Sequence, residues 1–103
     1  MSNTKNSLSI DLNQAIKKIG DDHILCIIGI LRDGGLRFNE VQRAISINPT
    51  TLTDRLQKLE VEGILSKEKE TLDKMSVVYE LTEKGKALLP VLDEIDKFAK
   101  KYL

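Results

Sequence analysis

Two short amphipathic helical patterns separated by a tight turn occupy residues 37–62 of this 103-residue chain. Apolar side chains recur every three or four residues along both patterns, at Val41, Ala44, Ile45, Leu52, Leu56 and Leu59. Asn48 and Pro49 lie between them, and proline is well suited to the first turn of a helix because its missing N–H costs nothing there. This order predicts a helix-turn-helix whose second helix, over residues 50–62, enters the DNA major groove.

The segment after this motif predicts a β-hairpin. Gly63 is followed by two short strand-like runs, residues 64–69 and 77–81, with a polar stretch between them. A hairpin at residues 64–81 is the wing of a winged helix-turn-helix. The chain is therefore expected to be mainly α with a small β-hairpin.

The flanking segments predict further helices and a polar lead-in. Residues 1–8 are expected to be a disordered lead-in to a single domain over residues 9–103. A first helix begins at Ser9 or Asp11 and ends at Ile19, and a second, apolar almost all round, runs from His23 to about Arg32 and forms the buried centre. A final helix over residues 82–103 carries an apolar stripe too long for a small monomer to cover, which indicates a protein partner.

Composition restricts the class of protein. The 16 basic and 16 acidic residues cancel, which counts against a nucleic-acid binder in general, although only the local face matters to a phosphate. A single cysteine excludes an intramolecular disulfide and a cysteine-rich zinc site. The N-terminus lacks the apolar core of a signal peptide, and the longest apolar run is too short to span a bilayer, so we expect a cytoplasmic protein with no membrane partner.

Several separated segments, in the same order, resemble the HxlR-type transcriptional regulators, which are relatives of the MarR regulators. The matching stretches are LRFNE at 36–40, LTDRL at 52–56, EGIL at 62–65, YELTEKG at 79–85 and LLPVL at 88–92. The resemblance extends from about residue 10 to residue 98. It implies a homodimeric regulator that binds double-stranded operator DNA, with two recognition helices in successive major grooves and the wings on the flanking backbone.

In that family the first and last helices form the dimer, which agrees with the surplus apolar stripe. The expected dimer contacts are Leu12, Ile16, Leu88, Leu92, Ile95, Phe98 and Tyr102. Some members sense oxidants or electrophiles through a cysteine ahead of the first helix, but this position falls at about Ile10 here, which puts that mechanism in doubt. The wing also lacks the usual prolines and arginine, so its grip on DNA is expected to be weaker or made by Lys69 and Lys74.

The candidate DNA-binding residues lie on and around the motif. They are Arg37, Asn39, Arg43, Thr50, Thr51, Thr53, Arg55, Lys58, Lys67, Lys69 and Lys74. Arg55 is the first candidate because a guanidinium can bridge guanine O6 and N7, and the phosphate backbone is an equally expected target. The alternative is a surface ion pair with Asp54, Glu60 or another neighbour. The threonines can bond phosphate oxygens, touch thymine methyls or cap a helix. Asp54 is expected to orient Arg55 or Lys58.

The remaining reactive side chains suggest no chemistry. Cys26, among isoleucines and leucines, is interpreted as a small buried hydrophobe, and His23 as an edge-of-core or dimer contact because it lacks strong metal ligands nearby. No catalytic constellation is present, so neither enzymatic activity nor a cofactor or metal is expected. Two alternatives remain open: a winged-helix protein-interaction module, favoured by zero net charge and an acidic wing, and a chromatin-like binder without sequence preference. The sequence does not identify the operator, the sign of regulation or an effector.

Overall fold

The computed structural model describes residues 8–69 and 77–103 of the chain. The elements in these ranges are α1 (Ile10–Ile19), α2 (Asp22–Ile30), β1 (Leu36–Arg37), α3 (Phe38–Ile45), α4 (Pro49–Val61), β2 (Leu65–Lys69), β3 (Val77–Leu81), α5 (Glu83–Lys86) and α6 (Leu89–Tyr102). The predicted lead-in and the centre of the predicted wing, including Lys74, lie outside the described residues. No helix in the described part of the chain is both long and apolar enough to cross a membrane.

Side-chain caps start the first two helices. The Ser9 hydroxyl accepts from the Leu12 N–H at 3.0 Å to begin α1, and the Asp21 carboxylate accepts from the Ile24 N–H at 3.1 Å to begin α2. Each cap satisfies a backbone donor that the first turn of a helix leaves without a partner. Gly20 ends α1 and gives the chain room to turn into α2.

A three-stranded antiparallel sheet with the order β1-β3-β2 lies beside the helices. The two strand-like runs predicted to form the wing pair as antiparallel β2 and β3, from Leu65 opposite Leu81 to Lys69 opposite Val77. β1 adds only two residues, Leu36 and Arg37, to the other side of β3. Sequence periodicity did not indicate this strand, because two residues cannot establish an alternating pattern.

The core lies where α2, α3, α4 and the base of the sheet meet. Its buried side chains are Ile24, Ile27, Ile28, Leu31, Val41, Ile47, Leu52, Leu56, Leu59, Ile64, Leu65 and Leu81. α2 supplies Ile24, Ile27 and Ile28, and Leu31 follows directly at its end, so α2 occupies the centre, as predicted. Because α4 buries one face on this core, its opposite face is directed to solvent.

The prediction that Cys26 is buried is wrong, since its side chain is exposed. Ile24, Ile27 and Ile28 share the inward face of α2. At about 100° per residue, Cys26 lies some 200° around the helix from Ile24 and therefore faces outward. Apolar neighbours in the sequence do not surround a residue that a helix turns away from the core.

The single helix expected over residues 82–103 is divided into α5 and α6. Pro90 lies in the first turn of α6. It has no N–H to donate to the carbonyl of Lys86, and its ring excludes the helical position of that carbonyl, so α5 cannot continue through it. Leu88, Leu89 and Leu92 pack against the core, whereas Ile95, Phe98 and Tyr102 further along α6 are exposed.

Candidate nucleic-acid interface

The turn between α3 and α4 fixes how the second helix of the motif begins. Ser46 adopts a left-handed backbone conformation with φ of 50° and ends α3. The Asn48 side-chain oxygen accepts from the backbone N–H groups of Thr50 at 2.8 Å and Thr51 at 3.3 Å. With Pro49 at the first helical position, the start of α4 is held without a partner molecule.

The outward face of α4 is polar. Leu52, Leu56 and Leu59 are buried, and α4 turns the opposite side chains to solvent. These exposed residues are Thr50, Thr53, Asp54, Gln57, Lys58 and Val61. We call this set the outer row. It has the dimensions and side-chain types of a helix that enters a major groove.

Arg55 is not part of the outer row. Its side chain is 24% exposed and lies on the flank of α4 that faces the start of α2. Nη1 donates to the Asp54 carboxylate at 2.7 Å, and Nη2 donates to the Asp21 carboxylate at 3.1 Å. The structure therefore puts Arg55 in an ion pair with Asp54, the alternative considered for it, and adds Asp21, which is 34 positions away in the sequence.

The ion pairs of Arg55 shift the pKa values of Arg55, Asp21 and Asp54. The hydrogen bond from Arg55 lowers the pKa of Asp21, and the backbone N–H of Ile24 lowers it further. The same arginine is the main cause that lowers the pKa of Asp54, with a smaller contribution from Lys58. The two carboxylates in turn raise the pKa of Arg55. The cluster is thus charged at neutral pH, with one cation between two anions.

Two grooves flank α4. One, of about 590 Å³, lies towards α1 and α2 and is lined by Lys17, Lys18, Asp21, Ile24, Asp54, Arg55, Gln57, Lys58, Val61 and Glu62. The other, of about 360 Å³, lies towards the sheet and is lined by Phe38, Thr53, Leu56, Gln57, Glu60, Lys67 and Tyr79. Gln57 lines both, so it stands on the ridge between them. Burial, followed by the nearby charge of Glu60, raises the pKa of Tyr79 and keeps its phenol neutral.

The other predicted DNA-binding residues surround α4 but differ in their pairing. Lys58 lies 3.4 Å from Asp54, and Lys67 lies 3.8 Å from Glu60. Within the described ranges, Arg43 on α3 and Lys69 at the end of β2 form no ion pair. Much of the basic charge around the motif is therefore balanced locally.

Three more predicted residues lie near the starts of α3 and α4. Arg37 and Asn39 are exposed at the start of α3, where the Arg37 N–H donates to the Glu40 carboxylate at 2.8 Å. Thr51 is half-buried, so its side chain is less accessible than that of Thr50. The side chains of Arg37 and Asn39 are therefore more accessible than that of Thr51.

Sequence reasoning missed Gln57 and Asp21. Gln57 follows Thr50 by seven residues, two helical turns, and the helical period alone would have put it on the outward face. Asp21 was not among the predicted site residues. Its pairing with Arg55 depends on how α2 and α4 pack, and nothing in the local sequence signals that contact.

His23 lies next to this cluster. Its Nδ1 is buried without a hydrogen-bond partner among the described residues and lies 3.9 Å from the Asp22 carboxylate. Ligand atoms of Asp21, Asp22 and His23 lie within 4.8 Å of one another. The Asp21 carboxylate, however, already serves as the α2 cap and the partner of Arg55, so the arrangement is explained without a metal ion.

A second exposed surface lies on α1 and α6, and neither helix has a fully buried residue. Its large apolar side chains are Leu8, Ile10, Leu12, Ile16, Val91, Ile95, Phe98, Tyr102 and Leu103. We call this set the apolar face. The rings of Phe98 and Tyr102 contact each other with centroids 5.2 Å apart. Of the predicted dimer residues, only Leu88 and Leu92 pack against this chain's own core.

Comparisons with known proteins agree with this architecture. The model of the HxlR-like helix-turn-helix family matches residues 18–103. The uncharacterized HTH-type transcriptional regulator YvaP of Bacillus subtilis is 32% identical over 91 residues, which are 87% of this chain and 84% of YvaP.

Solved structures share the fold as well. The reduced form of the transcriptional regulator YodB from B. subtilis has a TM-score of 0.78 and 32% identity, and the match covers 93% of this chain and 95% of that one. A MarR-family regulator from Porphyromonas gingivalis has a TM-score of 0.85 and 27% identity, with 98% and 100% covered. The mainly helical architecture with a small antiparallel sheet is that of the winged-helix regulators.

Proposed function

The chain belongs to the HxlR-like helix-turn-helix family, and from that premise we propose that it binds specific operator sites in double-stranded DNA as a homodimer. The family is one of transcriptional regulators rather than enzymes. In the proposed complex α4 lies in the major groove, and the wing lies on the flanking backbone. The observation that carries the proposal is the outer row of α4, a solvent-facing polar surface on a helix that is held rigidly at its start.

The charges around α4 support contact with phosphates on both sides of the major groove. Arg43 projects from α3, the helix that crosses the backbone in this motif, and Lys69 projects from the far end of β2. Exposed Lys58 adds a cation between them, and Arg37 and Asn39 extend the same surface at the start of α3. Phosphate contacts of this kind fix the register of a protein on DNA without reading sequence.

The apolar face supports the homodimer. Val91, Ile95, Phe98 and Tyr102 recur every three or four residues along α6 and are 50–65% exposed, and soluble monomers rarely leave an apolar stripe of this kind open. A second copy of the same helices would cover it with matching chemistry, as a two-fold interface requires. The dimer would then present two α4 helices to half-sites about one helical turn, roughly 34 Å, apart.

The family also separates the two alternatives suggested by the sequence. Membership of a regulator family favours DNA binding over a winged-helix module that binds only proteins. Zero net charge does not exclude DNA binding, because Asp54 and Glu60 near the motif are paired with Arg55, Lys58 and Lys67 and therefore repel phosphates less. Competition with unrelated DNA distinguishes a binder without sequence preference from an operator-specific regulator.

The test is binding of the purified chain to the DNA upstream of its own gene across a salt series, with unrelated DNA as competitor. If the dimer meets six to ten phosphates, affinity falls by about 10³- to 10⁵-fold between roughly 50 and 200 mM salt. Two chains should bind each site, and unrelated DNA should not displace them. Binding that unrelated DNA removes equally well would contradict operator recognition, and a single chain per site would contradict the dimer.

A pair of variants controls this test. Arg43→Ala removes an exposed cation beside the motif and should weaken binding. Lys100→Ala removes an exposed cation from α6, away from α4, where Lys100 pairs with Asp96 at 3.0 Å, and serves as the control. Equal loss in both variants would mean that general charge, not the surface around α4, drives the association.

A further inference from the structure

We propose that Gln57 reads an adenine in the operator, while Arg55 positions the recognition helix and contacts no base. This assignment rests on the proposed function, because it names how that function selects its site. It differs from the sequence-based expectation, in which Arg55 was the first candidate for reading a base.

The contacts of Arg55 remove it from base readout. To bridge guanine O6 and N7 its guanidinium would have to leave both Asp21 and Asp54, at 3.1 and 2.7 Å. The Asp21 carboxylate would then lose this cation and Asp54 would retain only Lys58, next to the DNA phosphates, where like charges repel. The same carboxylate of Asp21 caps α2, so the bridge joins the start of α2 to the middle of α4. Arg55 is therefore a positioning residue that sets how α4 lies on the core.

Gln57 has the position that base readout requires. It lies two helical turns after Thr50 on the same side of α4, about 10 Å along the axis, which corresponds to roughly three base pairs. It lines the grooves on both flanks of α4, so its side chain is on the crest that enters the DNA groove first. Its amide makes no hydrogen bond to any part of the chain that the structure describes.

The neighbours of Gln57 on the outer row are less able to read a base. The Thr53 hydroxyl donates to the Pro49 carbonyl at 2.9 Å, so its hydrogen is already used. Asp54 has only acceptors, and they are held by Arg55 and Lys58. Val61 has no polar group. Gln57 offers an N–H donor and an oxygen acceptor side by side, which complement N7 and the N6 amino group of adenine.

The experiment uses the full-length chain and a pool of random DNA duplexes of roughly two helical turns. Wild type, Gln57→Ala and Gln57→Glu are each used to select bound sequences, and affinities for the selected site are then measured. Wild type should enrich a half-site with a fixed A·T pair. Gln57→Ala should lose the preference at that one position, where discrimination falls by about 5- to 150-fold, and keep the rest of the site. Gln57→Glu should replace adenine by cytosine, because a carboxylate accepts from cytosine N4.

Two further variants separate base readout from support. Lys58→Ala, one residue along α4, should lower affinity for all sequences about equally and leave the selected site unchanged. Arg55→Ala should also lower affinity for every sequence without removing the preference for any one base. Part of this loss should return in Asp21→Asn/Arg55→Ala, because the neutral amide no longer repels phosphate and retains the cap of α2.

Several results would overturn the assignment. A Gln57→Ala site identical to that of wild type would show that Gln57 reads nothing, and loss of all binding by a folded Gln57→Ala chain would show that its role is not at a single base. Loss of one G·C preference in Arg55→Ala would return base readout to Arg55. If the wild type itself enriches no sequence, the proposed operator function fails, and this outcome is distinct from the others.

Discussion

Replacing Ile95 and Phe98 on the apolar face together by glutamine should separate the proposed homodimer into monomers. The two side chains are 51% and 56% exposed in the isolated chain, so about half of each remains to be buried by a partner. Full burial of such a side chain is worth about 1.5–3 kcal/mol, and half of that for two residues on each of two protomers gives about 3–6 kcal/mol per dimer. The dimer dissociation constant should rise by about two to four orders of magnitude. Glutamine maintains helix propensity in α6 while removing the apolar surface.

Sedimentation equilibrium over a concentration series measures this dissociation constant directly. Val61→Gln is the matched control, since Val61 is 80% exposed but lies on α4, outside the apolar face. It should leave the association unchanged, and circular dichroism should give the same helix content for all three proteins. The reasoning is refuted if the double variant changes the dissociation constant by less than about threefold. It is equally refuted if the wild type is a monomer at the highest concentrations measured.

Three further perturbations test the packing, the charge network and the contact with DNA. A Cβ at Gly85 would lie 2.3 Å from the Ile64 carbonyl oxygen, so Gly85→Ala should destabilise the fold by about 1–3 kcal/mol in urea titrations. A Cβ at Gly29 would meet Leu92 at 3.7 Å, which is ordinary contact, so Gly29→Ala should stabilise the fold by up to about 1 kcal/mol. The pKa of Asp21 is lowered in the folded state, so its contribution to the free energy of unfolding is complete above the ordinary pKa of 3.8 and is lost as pH falls through the lowered pKa. Asp21→Asn should therefore show a shallower loss of thermal stability in that acidic range. An unchanged pH profile would contradict the bridge to Arg55. Lys58→Ala should reduce the salt slope of operator binding by about one per protomer, and a slope equal to that of wild type would exclude a phosphate contact at this position.

Local signals in the sequence accounted for most elements of the fold. The three-to-four spacing of leucines gave α4 and its buried face, and Asn48 with Pro49 marked its start. Helical periodicity was also sufficient to place Cys26, because it turns this side chain away from Ile24 and Ile27. Cys26 was nevertheless expected to be buried, because its neighbours in the sequence are apolar. The strands of the wing were also marked locally, while β1 was too short to give a pattern.

The candidate site was only partly predictable for a different reason. Helical periodicity located the outer row and several of its polar side chains, and the same period would have added Gln57. Whether a charged residue is available to DNA depends on which other charges lie within reach, and this is a matter of distance in space. Arg55 has the guanidinium group that is typical of base-reading residues, yet in the folded chain this group is paired with Asp21.

The sequence by itself determined the helical periods, the caps and the proline that ends α5, because each arises from interactions within about four residues. The tertiary structure decided the bridge between α2 and α4, the pairing of β1 with β3 and the packing of Leu92 against α2. These contacts join residues between 34 and 63 positions apart, and their geometry exists only once the core of α2, α3 and α4 has formed.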